Sequence, residues 1–153
     1  MITGLILRHY KIYKALNYIP VCDRRENNLS IYVGNNGVGK SSILEALNTF
    51  FNNGIWNKHK EGKQDETFIC PVCLIKKTEL NSFRGVSTED KEAIECLSNH
   101  FWTLTPSGGT GEINKFFAER DELLKTYSSD DYYLIIVGNT FKNKNLTYFG
   151  INP

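Results

Sequence analysis

The residues best suited to chemistry lie together in one stretch. Gly34-Asn35-Asn36-Gly37-Val38-Gly39-Lys40-Ser41 fits G-x-x-x-x-G-K-[ST] at every fixed position. Glycines at 34, 37 and 39 permit left-handed backbone angles and leave no side chain in the way of a close approach. Successive backbone N–H groups can then curl around phosphate oxygens as a nest. The positive end of the helix that follows faces the same anion. Lys40 is placed to set its ammonium against the β- and γ-phosphates, and the Ser41 hydroxyl is suited to hold Mg²⁺. With Ser42, the stretch from Gly34 to Ser42 is a candidate site for ATP and Mg²⁺. The bland alternative, a Gly-rich turn between strand and helix, would not call for the Lys-Ser pair.

A second constellation has metal-ligand spacing. Cys70-Pro71-Val72-Cys73 and Cys96-Leu97-Ser98-Asn99-His100 together read C-x2-C and C-x3-H, compatible with a Cys₃His Zn²⁺ site. Cys96 and His100 would share one helix face. Cys70 and Cys73 would need a knuckle turn, because residues three apart on a strand point to opposite faces. The competing reading is a buried strand whose cysteines act as small apolar residues. The Leu74-Ile75 continuation and the lack of a glycine after Cys73 favour it. Lys58, His59, Lys60 and Lys63 form a basic loop, read as a solvated insertion ahead of a DNA or partner contact. His9 reads as a turn residue ahead of a catalytic base.

The elements that must position these residues follow from pattern. Ile2 to Arg8 and Lys14 to Val21 read as strands joined by a turn at Tyr10 to Tyr13, and Leu29 to Val33 reads as a third strand feeding the Gly-rich loop. Ile43, Leu44, Leu47, Phe50 and Phe51 give the next helix one apolar stripe, which Asn52-Asn53-Gly54 ends. Residues 53–66 read as a mobile insertion and Thr67 to Ile75 as a second apolar run. Ser87 with Asp90 three residues on resembles a capped helix start, with Ile94, Leu97 and Phe101 facing inward. A further helix carries Ile113, Phe116, Phe117, Leu123 and Leu124. Tyr132 to Val137 and Leu146 to Phe149 close the chain as a hairpin.

Composition bounds the answer. The 153 residues suit one ordinary domain, and 41% hydrophobic content supports a real core. A net charge of +1 gives no general electrostatic argument for nucleic acid or membrane. No apolar run reaches the roughly 18 residues that span a bilayer, and no signal-peptide pattern opens the sequence. Cys22, Cys70, Cys73 and Cys96 are too few for a disulfide scaffold, so a reducing cytoplasm is expected.

Beyond the loop itself, the strand, the short Arg-His-Tyr-Lys-Ile-Tyr turn, the second strand and then I-Y-V-G-N-N-G-V-G-K-S-S-I-L-E-A-L resemble the amino terminus of the ABC-type ATPase heads of the RecF, SMC, Rad50 and OLD-nuclease superfamily. The likeness is carried by residues 1 to about 52, and Leu146 to Asn152 is similar to a later strand of the SMC-like heads. Within that superfamily the sequence resembles the Septu and retron-associated anti-phage ATPases that partner an HNH nuclease. The resemblance implies an α/β P-loop NTPase: a first lobe with a mixed, partly antiparallel sheet and flanking helices. It implies residues 1–153 as that lobe, with residues 67–153 its truncated remainder. It also implies a head-to-tail homodimer that sandwiches ATP, with hydrolysis gating a DNA-directed or nuclease activity. Lys40 is then the catalytic cation.

The sequence departs from that pattern. Leu134 to Val137 runs into Gly138-Asn139 rather than Asp-Glu, and Asp130-Asp131 lie at its other end. Gln64, the only glutamine, precedes its candidate strand. Pro106-Ser107-Gly108-Gly109-Thr110-Gly111-Glu112 holds the S-G-G core of an ABC signature, but with Pro106 where a leucine is usual, and a flexible inter-helix loop is preferred. A complete hydrolase therefore needs elements from elsewhere. A non-hydrolysing nucleotide-binding assembly module and a zinc-stabilised interaction domain remain as alternatives.

Overall fold

The computed structural model describes residues 1–21, 31–62, 66–106, 108, 111–141 and 147–148. The described residues form strands β1 (Ile2–Tyr10), β2 (Tyr13–Pro20), β3 (Phe68–Lys76), β4 (Tyr132–Thr140) and β5 (Thr147–Tyr148), and helices α1 (Lys40–Asn52), α2 (Lys77–Ser82), α3 (Thr88–Thr103) and α4 (Gly111–Leu123). The strands line up as β2-β1-β3-β4-β5, and every neighbouring pair is antiparallel. The expected α/β class and the closing hairpin are both present. The parallel portion expected of a mixed sheet does not occur among the described residues.

Alternation along the strands divides two apolar layers. Leu5, Leu7 and Ile69 pack with Ile43 and Ala46 of α1 on one face. Ile6, Cys70, Val72, Leu74, Leu134 and Ile136 pack with Phe101 and Trp102 of α3 and Phe116, Phe117 and Leu123 of α4 on the other. Both faces of β1 and β3 are thus covered, which explains their near-continuous apolar sequences. Pro71 sits inside β3, an unusual place for a residue with no N–H to donate. The β3–β4 ladder runs through Ile69↔Asn139 and resumes at Val72↔Ile136. There Gly138 lets the strands close up, since a Cβ on it would lie 2.9 Å from both Cys70 Cβ and the Ile69 carbonyl.

One irregularity decides where α1 can sit. The β1–β2 register shifts between Arg8 and Tyr10, where His9 adopts φ 52°. The shift turns Tyr10 onto the face of Leu5 and Leu7, against α1, instead of the face of Ile6. Fully buried there, Tyr10 has its hydroxyl 3.1 Å from Thr49 Oγ1. Thr49 spends its own proton on the Glu45 or Ile55 carbonyl, so Tyr10 is the donor.

The α1 stripe is narrower than expected. Ile43 and Ala46 are buried, whereas Leu44 and Phe51 lie on an outer arc and are exposed. Leu124 falls just past α4 and is exposed as well. Within the segment expected to be an insertion, Asn57 and His59 bond to the hairpin. The Lys11 N–H donates to Asn57 O at 2.8 Å, and the His59 N–H donates to His9 O at 2.7 Å.

Polar contacts close the edges. Ser87 and Asp90 form the expected capping box at α3. Its Ser98 hydroxyl accepts from the Leu134 N–H of β4 at 2.9 Å, and Trp102 Nε1 donates to Tyr132 O at 3.2 Å. Buried Arg120 of α4 donates to the Phe101 and Leu104 carbonyls at the end of α3 and lies over the Phe117 ring. Arg120→Ala is expected to destabilise the fold by about 2–3 kcal/mol, because it removes charge-assisted hydrogen bonds to the Phe101 and Leu104 carbonyls. Ser87→Ala should cost about 1 kcal/mol. Urea unfolding of both variants checks the ranking.

Candidate functional site

The site begins where α1 begins. Gly39, at φ 92°, is its N-cap residue and supplies no side chain to cap it, and no acidic residue occupies the first turn. The Ile43 N–H donates to Gly39 O at 3.3 Å, so the Lys40, Ser41 and Ser42 N–H groups precede the first backbone bond of the helix. Helix α3 is built the opposite way, with its start closed by Ser87 and flanked by Glu89 and Asp90. An uncapped, acid-free start after a glycine loop suits an external anion.

The loop folds back over this start. Lys40 donates through Nζ to the carbonyls of Gly34 and Asn35, the latter at 2.7 Å. Its ammonium therefore lies within the span of the loop, held by acceptors that phosphate oxygens could replace. Gly37 adopts φ 89°, and a Cβ there would meet no atom within 4 Å, so its glycine serves backbone conformation alone. Lys11, Ile12, Asn36, Gly37, Gly39, Lys40, Ser41 and Ser42 surround a concavity of about 280 Å³. That is close to the lower end of ligand sites, about 300–1,000 Å³.

The β1–β2 turn forms the other wall. Gly39 is buried against it: a Cβ would lie 2.5 Å from Ile12 Cδ1 and 2.9 Å from the Tyr13 hydroxyl. Tyr13 donates that hydroxyl to Gly39 O at 3.3 Å, and burial raises its pKa, which keeps it a donor. Lys11, at φ 49°, pairs with Glu45 of α1. Lys11, Ile12, Tyr13 and Glu45 escaped the sequence reading as site residues. The turn lies far from the loop in sequence, and only its basic and aromatic residues hinted at a ligand.

The expected site residues are thus brought together, with Gly34 to Val38 and Ser41 exposed, Lys40 half-buried, and Gly39 and Ser42 buried. The strand expected to feed them is not. Residues 31–33 form no strand; Ile31 and Val33 are 75% and 91% exposed, and Tyr32 is tethered through its hydroxyl to Pro20 O at 3.0 Å. A strand needs a neighbour for its N–H and C=O groups, and no described strand pairs with this segment. Residues 29 and 30 lie outside the described residues.

The zinc reading fails on geometry. Among the described residues no group of three or more His, Cys, Asp or Glu side chains could hold a metal ion. Strand pairing, of Cys70 with Ile6 of β1 and of Cys73 with Ile135 of β4, replaces the knuckle turn. Cys70 is buried beneath α3 and α4, and Cys96 and His100 are exposed on α3. Burial raises the Cys70 and Cys73 thiol pKa values. Of the signature-like loop, Ser107, Gly109 and Thr110 lie outside the described residues, as do Gln64, Lys63 and residues 149–153. Leu134 to Val137 does form a strand, which continues as β4 through Gly138 and Asn139. Asn139 is buried, and its Oδ1 has no hydrogen-bond partner among the described residues.

A family model described as an AAA ATPase domain matches residues 1–149. No solved structure matches the chain. Among the described residues no helix is long and apolar enough to cross a membrane.

Two outcomes follow. Under native conditions at about pH 8, near the ordinary thiol pKa, iodoacetamide should modify Cys96 ahead of Cys73, with Cys70 reacting only on unfolding. Peptide mass mapping reads the order, and joint protection of Cys96 and Cys70 would restore the metal site. Gly39→Ala should separate hairpin from loop and weaken anion binding at α1, measured by phosphate titration against the wild type.

Proposed function

Because the chain belongs to the AAA ATPase domain family, we propose that the concavity between the hairpin turn and residues 34–42 holds the phosphates of ATP with Mg²⁺. The observation that carries this reading is the uncapped start of α1 beneath a glycine loop into which Lys40 is already turned. Gly34 to Ser42 would hold the phosphates, Lys40 would neutralise their charge, and the exposed Ser41 hydroxyl would be the metal ligand. Bound Mg²⁺ would supply charge neutralisation on the phosphate oxygens.

The chain's own residues otherwise bind and orient. Gly39 and Tyr13 fix the loop against the hairpin, and the peptide dipoles of α1 face the anion. Water activation needs a further carboxylate, and β4 leads into Gly138-Asn139 where an acid pair would be required. Hydrolysis is therefore completed by elements of further chain or of a partner. The finer assignment is to the RecF, SMC, Rad50 and OLD-nuclease superfamily, supported by the hairpin-loop-helix arrangement of residues 1–52. In that reading two heads dimerise on ATP in the cytoplasm and gate a nuclease or other DNA-directed activity, as in anti-phage defence. A non-hydrolysing assembly module is the second reading, favoured by the same Gly138-Asn139 ending.

Equilibrium titration with a fluorescent ATP analogue and Mg²⁺, comparing wild type with Lys40→Ala, tests the site. Binding should weaken at least about tenfold in the variant, since a charge-assisted contact of about 1.4 kcal/mol or more is lost. Binding without turnover supports a site awaiting its catalytic carboxylate. Turnover by the chain alone would reinstate the Ser107 loop as a signature. Absence of binding by a folded wild type overturns the reading.

A further inference from the structure

Strand β1 outruns the strand beside it. Its pairing with β3 ends at Arg8↔Phe68, so His9, Tyr10 and Lys11 run on past β3 toward the turn. Residues 55–62, which follow α1, take the place of β3 there. Lys58 bridges Tyr10 in the antiparallel sense, the His59 N–H donates to His9 O at 2.7 Å, and the Lys11 N–H donates to Asn57 O at 2.8 Å. Trp56 packs edge-on against Tyr10, and Gly62 lies so close to His9 that a Cβ on it would stand 2.5 Å from His9 Cβ.

The two backbone bonds fall on strained residues. His9 holds φ 52° and Lys11 holds φ 49°, a region that a residue with a Cβ keeps only where its surroundings compel it. His9 is also where the register shift turns Tyr10 toward α1. Lys11 leads directly into Ile12 and Tyr13, the residues that close on Gly39. Without residues 57–59 against them, His9 and Lys11 can return to ordinary angles, and the wall they carry moves off the glycine loop.

We propose that residues 55–62 are a conformational strap that regulates the phosphate site: docked on the hairpin it holds the wall against the glycine loop, and released it lets the wall go. This rests on the nucleotide reading above. A nucleotide that binds the docked form more tightly must in turn favour docking by the same factor. The residues lining the concavity include none of the strap. An effect of nucleotide on the strap therefore passes through the hairpin and not through contact. A strap that only supported the fold would respond to nucleotide no differently from any other surface segment.

Limited trypsin digestion reads the docking, since Lys58 and Lys60 are exposed on the strap, and Arg84, exposed between α2 and α3, serves as the reference site. With the fluorescent ATP analogue and Mg²⁺ at saturation, cleavage of the wild type after Lys58 and Lys60 should slow about tenfold relative to Arg84, and Lys40→Ala should show no slowing. Gly62→Ala crowds His9 without calling for a left-handed φ. It should speed strap cleavage of the unliganded protein and weaken analogue binding about tenfold. His59→Pro, which removes the donor to His9 O, should act in the same direction. Strap cleavage that ignores nucleotide in a wild type that binds it, or wild-type affinity in a variant whose strap is cleaved faster, overturns the regulation and leaves the nucleotide site standing. If the folded wild type binds nothing, both readings fall together.

Discussion

The hydrogen bond from Tyr10 to Thr49 joins the last residue of β1 to the middle of α1 inside the apolar layer between them. It forms because the register shift at His9 turns an aromatic side chain toward the helix. Thr49 in turn gives its single proton to the Glu45 or the Ile55 carbonyl, which lie 2.8 and 3.1 Å away. With α1 fixed at mid-length, its first residue lies beneath the β1–β2 turn, where Ile12 and Tyr13 close on Gly39. The concavity is thus a product of the antiparallel sheet as much as of the glycine loop.

Two kinds of helix start divide the labour. Helix α3 satisfies its own N-terminus through Ser87 and Asp90 and then uses Ser98 and Trp102 to close β4. Arg120 ties off its far end. Helix α1 ends conventionally, with Asn53 in the left-handed conformation, but starts with no side-chain partner. The layer formed by α3, α4 and the sheet closes the start of α3, whereas the start of α1 has no side-chain cap among the described residues.

The shape of the loop was legible in sequence because it depends on local backbone freedom at Gly37 and Gly39, both at positive φ. The strands and the α3 cap were legible for a similar reason, being encoded by alternation and by two residues three apart. What failed was tertiary. Ile31 and Val33 have strand-forming side chains, yet strand formation depends on neighbours that are not beside them. Leu44 and Phe51 belong to an apolar stripe wider than the surface that covers it. Helix α2, polar and one and a half turns long, has no periodicity to detect. The Lys11–Glu45 pair arises only when the hairpin and α1 meet, and Arg120 reads as a surface cation until its carbonyl partners are seen.

The open start of α1 also bears on stability. Among the described residues its start has no side-chain cap and its first turn no acid, so an anion seated there would satisfy first-turn N–H groups. By mass action, any such anion that ignores the unfolded chain adds its binding free energy to that of folding. If phosphate-bearing solutes seat there, their concentration becomes a folding variable as well.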